Sequence, residues 1–254
     1  TNPYNKKIDP LGSSTGSAVS VAANLICVSV GTETNGSLMA PAYKNSIVSI
    51  KPTFGLVSRY GIIPISETQD TAGPMARNVA DCALLLDVIT GSDSLDPYTK
   101  NADSFKQNLS DSYLKSAKGK KVGILYFSNN SYDEEESKIL DAAMKTLQQE
   151  GLIVEKVTIE DHPMKNDESL LYEFKNNLNS YLKSVSGYTK MTSLKDIIEF
   201  NLKDPVNRLK YGQSILIASE KTNGDLTDPK YLEVRKKLVN EANRLQTLME
   251  ENHF

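Results

Sequence analysis

The sequence predicts an α/β protein in which a mixed β-sheet is flanked by helices, and three observations predict it. An apolar, β-branched run at 25–30 follows directly on an Ala- and Ser-rich helical stretch at 16–24. A strand–helix–strand unit occupies 122–159, and such a unit makes a parallel strand pair with a helix across one face. Further helices follow at 168–184, 194–202 and 229–250, each with apolar residues at helical spacing.

Taken in order, the first helix places Val19 and Ala23 one turn apart, and the run after it, bounded by Asn24 and Gly31, is short enough for a buried strand. Residues 38–44 form a second helix with Pro41 near its start, where proline is tolerated. Ser37 then sits close to a helix N-terminus, whose dipole would help stabilise a developing oxyanion. A strand at 47–50 enters Lys51-Pro52-Thr53, and 54–72 is mostly loop, punctuated by Gly55, Gly61 and Pro64. Asn78 caps a helix through Ile89, with Asp81 at the third helical position, Gly91 ending it, and an apolar stripe of Val79, Cys82, Ala83, Leu86 and Ile89.

The polar, irregular stretch 92–120 holds the best boundary, near 116–119, dividing the chain into 1–115 and 116–254 as two parts of one domain. In the unit that follows, 122–127 and 152–159 are the strands. Ser131 and Glu134 have the capping-box spacing for the helix between them, which carries Ile139, Leu140, Ala143 and Leu147 inward and stops at Gly151. The last helix aligns Leu232, Leu238, Val239, Ala242, Leu245 and Met249. The charge runs 133–136 and 235–237 are solvated helix faces. Tyr172 and Tyr181 suit ordinary packing, with a substrate channel as the alternative.

Bulk properties narrow the function. The 254 residues carry 29 Lys and Arg against 32 Asp and Glu, a net charge of −3 without a basic cluster, which argues against a nucleic-acid partner. No apolar run approaches the roughly 20 residues needed to span a bilayer, so no membrane association is expected. Cys27 and Cys82 lie in apolar segments without CxxC spacing and read as buried small hydrophobes in a reducing compartment, which points to the cytoplasm. Two histidines without ligand spacing predict no metal site, and nothing calls for a cofactor. The first residues, Thr-Asn-Pro-Tyr-Asn, read as the middle of a loop, so the expectation is an internal piece whose true N-terminus, with any signal peptide, lies elsewhere.

The chemistry concentrates in 12–37, where two glycine-bounded serine turns flank the first helix and strand. Glycine imposes no Cβ there, so backbone N–H groups can form a cup beside an accessible serine oxygen, an arrangement suited to acyl transfer. On composition alone a plain loop is the better reading. The base that a serine needs is either histidine or a lysine of lowered pKa. Only His162 and His253 are present; His162, beside Pro163, reads as a surface-loop residue, although a triad through it stays open.

The ordered text Leu11-Gly12-Ser13-Ser14-Thr15-Gly16-Ser17, Gly31-Thr32-Glu33-Thr34-Asn35-Gly36-Ser37, Ile50-Lys51-Pro52-Thr53-Phe54-Gly55 and Gln69-Asp70-Thr71-Ala72-Gly73-Pro74 resembles the amidase signature family. The likeness is strongest over 2–92. It implies a large mixed sheet with helices on both sides, here incomplete. It also implies an amidase that cleaves a small-molecule amide or a peptide amide through a serine acyl-enzyme. By motif, Ser37 matches the nucleophile and Ser13 the bridging serine, reached through a cis Gly12–Ser13 bond. The N–H groups of Thr34, Asn35, Gly36 and Ser37 match the oxyanion cup. The family's lysine base lies upstream of the first turn. Lys6 and Lys7 do not stand in its context and Lys51 matches another segment, so the chain alone is expected to be inactive or nearly so.

Leu11 replaces a family glycine, Thr15 and Asn35 stand where smaller or acidic residues are frequent, and Gly36-Ser37-Leu38-Met39 lacks the arginine of the tRNA-dependent amidotransferase A subunits. The resemblance is therefore closer to stand-alone and peptide amidases. An A subunit of a glutamyl-tRNA(Gln)-type amidotransferase, working with a partner subunit, is the second reading, and a non-catalytic remnant the third. The sequence sets no oligomeric state.

Overall fold

A computed structural model describes residues 1–106, 108–112, 115–128, 132–160 and 167–254. In chain order its elements are α1 (Thr15–Ala22), β1 (Val28–Glu33), α2 (Met39–Lys44), β2 (Val48–Ser49), β3 (Thr71–Ala76), α3 (Val79–Ile89) and a short α4 (Leu109–Ser112). Then come β4 (Lys121–Phe127), α5 (Glu134–Gln149), β5 (Ile153–Ile159), α6 (Asp167–Ser184), α7 (Leu194–Leu202), α8 (Pro205–Arg208), α9 (Ser214–Glu220) and α10 (Pro229–Asn252). The α/β class stands, and the described strands form two small sheets, one antiparallel and one parallel. No described helix is long and apolar enough to cross a membrane. Two compact units emerge, Thr1–Leu114 with Leu170–Leu226, and Lys115–Ser169 with Thr227–Phe254.

In the first unit β3 is central, in the order β1-β3-β2, and antiparallel to both neighbours; Gly31 pairs with Gly73 and Glu33 with Thr71. The stretch read as loop through Ala72 thus ends in the middle strand. Gly73 and Pro74 give that strand a turn-like composition, but both have a reason to be there. A Cβ on Gly73 would lie 2.2 Å from the Ile50 carbonyl oxygen, and Pro74, which has no N–H to give, still accepts from the Ile50 N–H at 3.2 Å. Around this sheet Ala18, Leu38, Ala42 and Met75 form one buried cluster, and Val57, Ala72 and Leu86 a second, backed by Ile50, Ile62 and Ile89.

The first strand begins later than its apolar run suggests. Leu25 is 74% exposed and Ile26 lies outside the strand, so β1 starts at Val28 and runs on through Gly31-Thr32-Glu33. Cys27 is correspondingly exposed, against the expectation of burial, whereas Cys82 is buried. The α3 cap forms as expected, the Asn78 side chain accepting from the Asp81 N–H at 2.9 Å. Within its stripe Val79 turns outward while Cys82, Ala83 and Leu86 are buried. A third cluster, Leu178, Leu182 and Leu194 with Phe174, Met191 and Ile197, packs α6 and α7.

In the second unit β4 and β5 pair in parallel, Lys121 opposite Ile153 and Phe127 opposite Ile159, with α5 between them in sequence and packed on β5. Ser131 lies outside the described residues. The capping box is made by Asp133 and Glu136, the Asp133 carboxylate accepting from the Glu136 N–H at 2.8 Å and Glu136 reaching back at 3.1 Å. Ile139 and Ala143 point to solvent, so the half-buried face of α5 is Leu140, Met144 and Leu147. Of α10's expected stripe, Leu232, Val239, Leu245 and Met249 are exposed.

Candidate active site

The two serine turns meet. The Ser14 N–H donates to the Ser37 carbonyl at 3.1 Å. The Ser14 hydroxyl donates to the Thr32 carbonyl at 2.9 Å and accepts from the Thr32 N–H at 3.0 Å. Ser17 adds a bond to the Val30 carbonyl at 2.9 Å. This lacing of the α1 N-terminus to β1 requires Gly31, because a Cβ there would lie 2.9 Å from the Ser14 side chain. The Gly12–Ser13 peptide is cis; Ser13 is exposed and Ser37 half-buried, whereas Ser14 is buried.

The second turn reverses at Gly36, whose φ of +81° is a conformation that glycine adopts without a steric penalty. Among the described residues none accepts a hydrogen bond from the main-chain N–H groups of Asn35, Gly36 or Ser37, which leaves three successive donors for an incoming anion. The helix dipole does not join them as expected. The buried Glu33 carboxylate accepts from Leu38 N–H at 2.8 Å and Met39 N–H at 3.0 Å, so the positive end of α2 is already occupied. Thr34 is tied down instead, its hydroxyl donating to Asp70 Oδ1 at 2.5 Å. Burial pushes the Asp70 carboxyl above its ordinary range, against the opposing pull of Thr34, of the Ser66 and Ile65 N–H groups and of Arg59.

Asp70, which holds Thr34, also lines a cavity of about 570 Å³ together with Arg59, Ile62, Asp96, Tyr181 and Tyr188 among others. A smaller recess under Thr32 and Thr34 shares Arg59, Ile62 and Asp70 with it. Arg59 is fixed by the Asp96 carboxylate, Nε to Oδ2 at 3.1 Å and Nη2 to Oδ1 at 3.2 Å, and lies over the rings of Phe54 and Tyr98. Tyr181 thus lines a cavity, while Tyr172 is buried. His162 lies outside the described residues; His253 is exposed beyond α10, and Lys6, Lys7 and Lys51 are all exposed. Among the described residues no group of three or more His, Cys, Asp or Glu side chains could hold a metal ion. Ser14, Glu33 and Asp70 escaped the sequence reading as positioning residues. All three stand inside the motif text, and only the spatial pairing of β1 with β3 shows what they hold.

The profile of one family, described as Amidase, matches residues 1–254. A probable amidase of Arabidopsis thaliana is 39% identical over 99% of this chain and 50% of its own length. The crystal structure of an amidase family protein from Bacillus anthracis superposes with a TM-score of 0.88 at 39% identity, covering all of this chain and 50% of that one. Native peptide amidase from Stenotrophomonas maltophilia gives 0.81 at 38% identity over 93% of this chain and 49% of its own. The chain therefore spans about half the length of these relatives. With the family profile matched from the first residue to the last and the same fold in its relatives, the chain belongs to the amidase signature family.

Proposed function

We propose that the protein containing this chain hydrolyses the carboxamide of a small or peptide-like substrate through a serine acyl-enzyme. The observation that carries the reading is the direct bond between the two serine turns, with the N–H groups of Asn35, Gly36 and Ser37 unengaged among the described residues. In this reading Ser37 Oγ attacks the carbonyl carbon, and its proton passes through the Ser13 hydroxyl to a lysine base. The developing oxyanion is taken up by the N–H groups of the turn 34–37. The tetrahedral intermediate collapses with C–N cleavage, and the nitrogen leaves as the protonated amine or ammonia. Water then adds to the Ser37 ester by the same relay in reverse, releasing the acid and restoring the hydroxyl.

No lysine of this chain stands in the family's context, so the proposal takes the base from the protein outside residues 1–254. The peptide amidase among the relatives supports a peptide-like carboxamide as substrate. The cytoplasm is the proposed compartment, in keeping with two free thiols. A fluorophosphonate probe tests the reading. In the protein containing this chain it should label Ser37, and Ser37→Ala should abolish labelling and lower amide turnover by more than about a thousandfold. Residues 1–254 alone should stay unlabelled. Normal turnover by Ser37→Ala overturns the assignment.

A further inference from the structure

The antiparallel register that pairs Glu33 with Thr71 places the next residues, Thr34 and Asp70, side by side where the ladder ends. Asp70 uses both carboxylate oxygens. Oδ1 accepts the Thr34 hydroxyl at 2.5 Å, while Oδ2 accepts the N–H groups of Ile65 at 2.8 Å and Ser66 at 2.9 Å. The segment carrying those two N–H groups is itself held from α6. The Glu173 carboxylate accepts the Ser66 hydroxyl and, at 2.9 Å, the Thr68 hydroxyl, with Ser66 and Glu173 both 0% exposed. The Asp70 carboxylate is therefore braced from behind and cannot swing away from Thr34. Among the described residues no side-chain bond steadies the turn beyond Thr34 until Glu33 takes up Leu38.

We propose that Asp70 is a positioning residue for the acyl-transfer turn, acting through the Thr34 hydroxyl to fix the main-chain donors at 34–37. The proposal rests on the reading of Ser37 as nucleophile. A fixed turn matters because an oxyanion cup works by pre-aligned donors, and a small displacement of the main chain weakens the transition state more than substrate binding. The brace calls for a hydroxyl at position 34, which serine would supply as well as threonine.

The test is steady-state amide turnover in the protein containing this chain, with thermal unfolding followed alongside. Thr34→Val keeps shape and removes only the hydroxyl; kcat should fall about tenfold with KM within about twofold, while Thr34→Ser keeps the wild-type kcat. Asp70→Ala removes every acceptor facing the Thr34 hydroxyl, so in that background Thr34→Val should cost less than it does in the wild type. Wild-type kcat in Thr34→Val, an equal fall in Thr34→Ser, or an undiminished cost in the Asp70→Ala background would each overturn the proposal. Ser37→Ala, run in parallel, separates this from the parent reading: normal turnover there removes the nucleophile whatever Thr34 does.

Discussion

Local environment decides what a side chain can do, and the two thiols show by how much. Cys82 is fully buried on α3, with its Sγ 3.4 Å from the Val48 carbonyl, and burial pushes its thiol up to about 11. Cys27 is exposed in the segment before β1. Only the thiolate attacks a disulfide reagent, and at pH 8 about one Cys82 in a thousand would carry it even if reagent could enter. We therefore expect an aromatic disulfide reagent to titrate one thiol rapidly in the folded chain and the second only after denaturant is added. Cys27→Ser should remove the rapid phase and leave the slow one. Two rapid equivalents in the native chain would show that α3 opens far more readily than its burial implies. The same logic of environment separates Asp70 from the carboxylates of the solvated run 133–136: it is held by three donors within a cavity wall, and they lie in water.

Among the elements, α2 shows how a short helix is held by a residue outside it. Six residues cannot sustain a helix on their own, since nucleation costs more than so few bonds return. Glu33, at the end of β1, supplies the missing cap by accepting two of the orphaned N–H groups from a buried position. Glu33→Ala should leave both donors unsatisfied and cost about 2–3 kcal/mol in urea unfolding. Glu33→Gln, whose amide oxygen can accept the same pair, should cost about 1 kcal/mol. Equal losses in the two variants would mean that charge, not hydrogen bonding, holds the helix. Elements of this kind also mark what the sequence can reveal. The α3 cap, α7, the β4–α5–β5 unit and the serine turns were readable because their signals are local: a cap residue, a period, or a glycine next to a serine. The middle strand β3 was not readable. Gly73 and Pro74 mimic a turn, and their true reason is the Ile50 backbone pressed against them from a distant part of the chain. The reach of Glu33 into α2 and of Asp70 to Thr34 was hidden likewise, since neither follows from spacing until β1 and β3 are paired.

At the scale of the molecule, the two compact units differ in how much each buries. The first has three buried apolar clusters, a three-stranded sheet and the Arg59–Asp96 and Glu173 networks. The second rests on one parallel strand pair; α5 buries none of its described side chains and α10 buries only Tyr231. A two-stranded sheet is marginal without a well-covered face, and surface ion pairs such as Lys138–Glu134 and Lys237–Glu233 add little. Stability should therefore be uneven along the chain, with the site-bearing unit holding out longest. Native-state hydrogen exchange on residues 1–254 checks this directly. Amides of β4, β5 and α10 should exchange through openings of low free energy, while those of β1, β3 and α3 exchange only near the global limit. In rising urea the first set should lose protection before any change at Ser37's turn is seen. Uniform protection across both units, or loss in β1 and β3 first, would show that the second unit draws stability from something other than the apolar surface it buries.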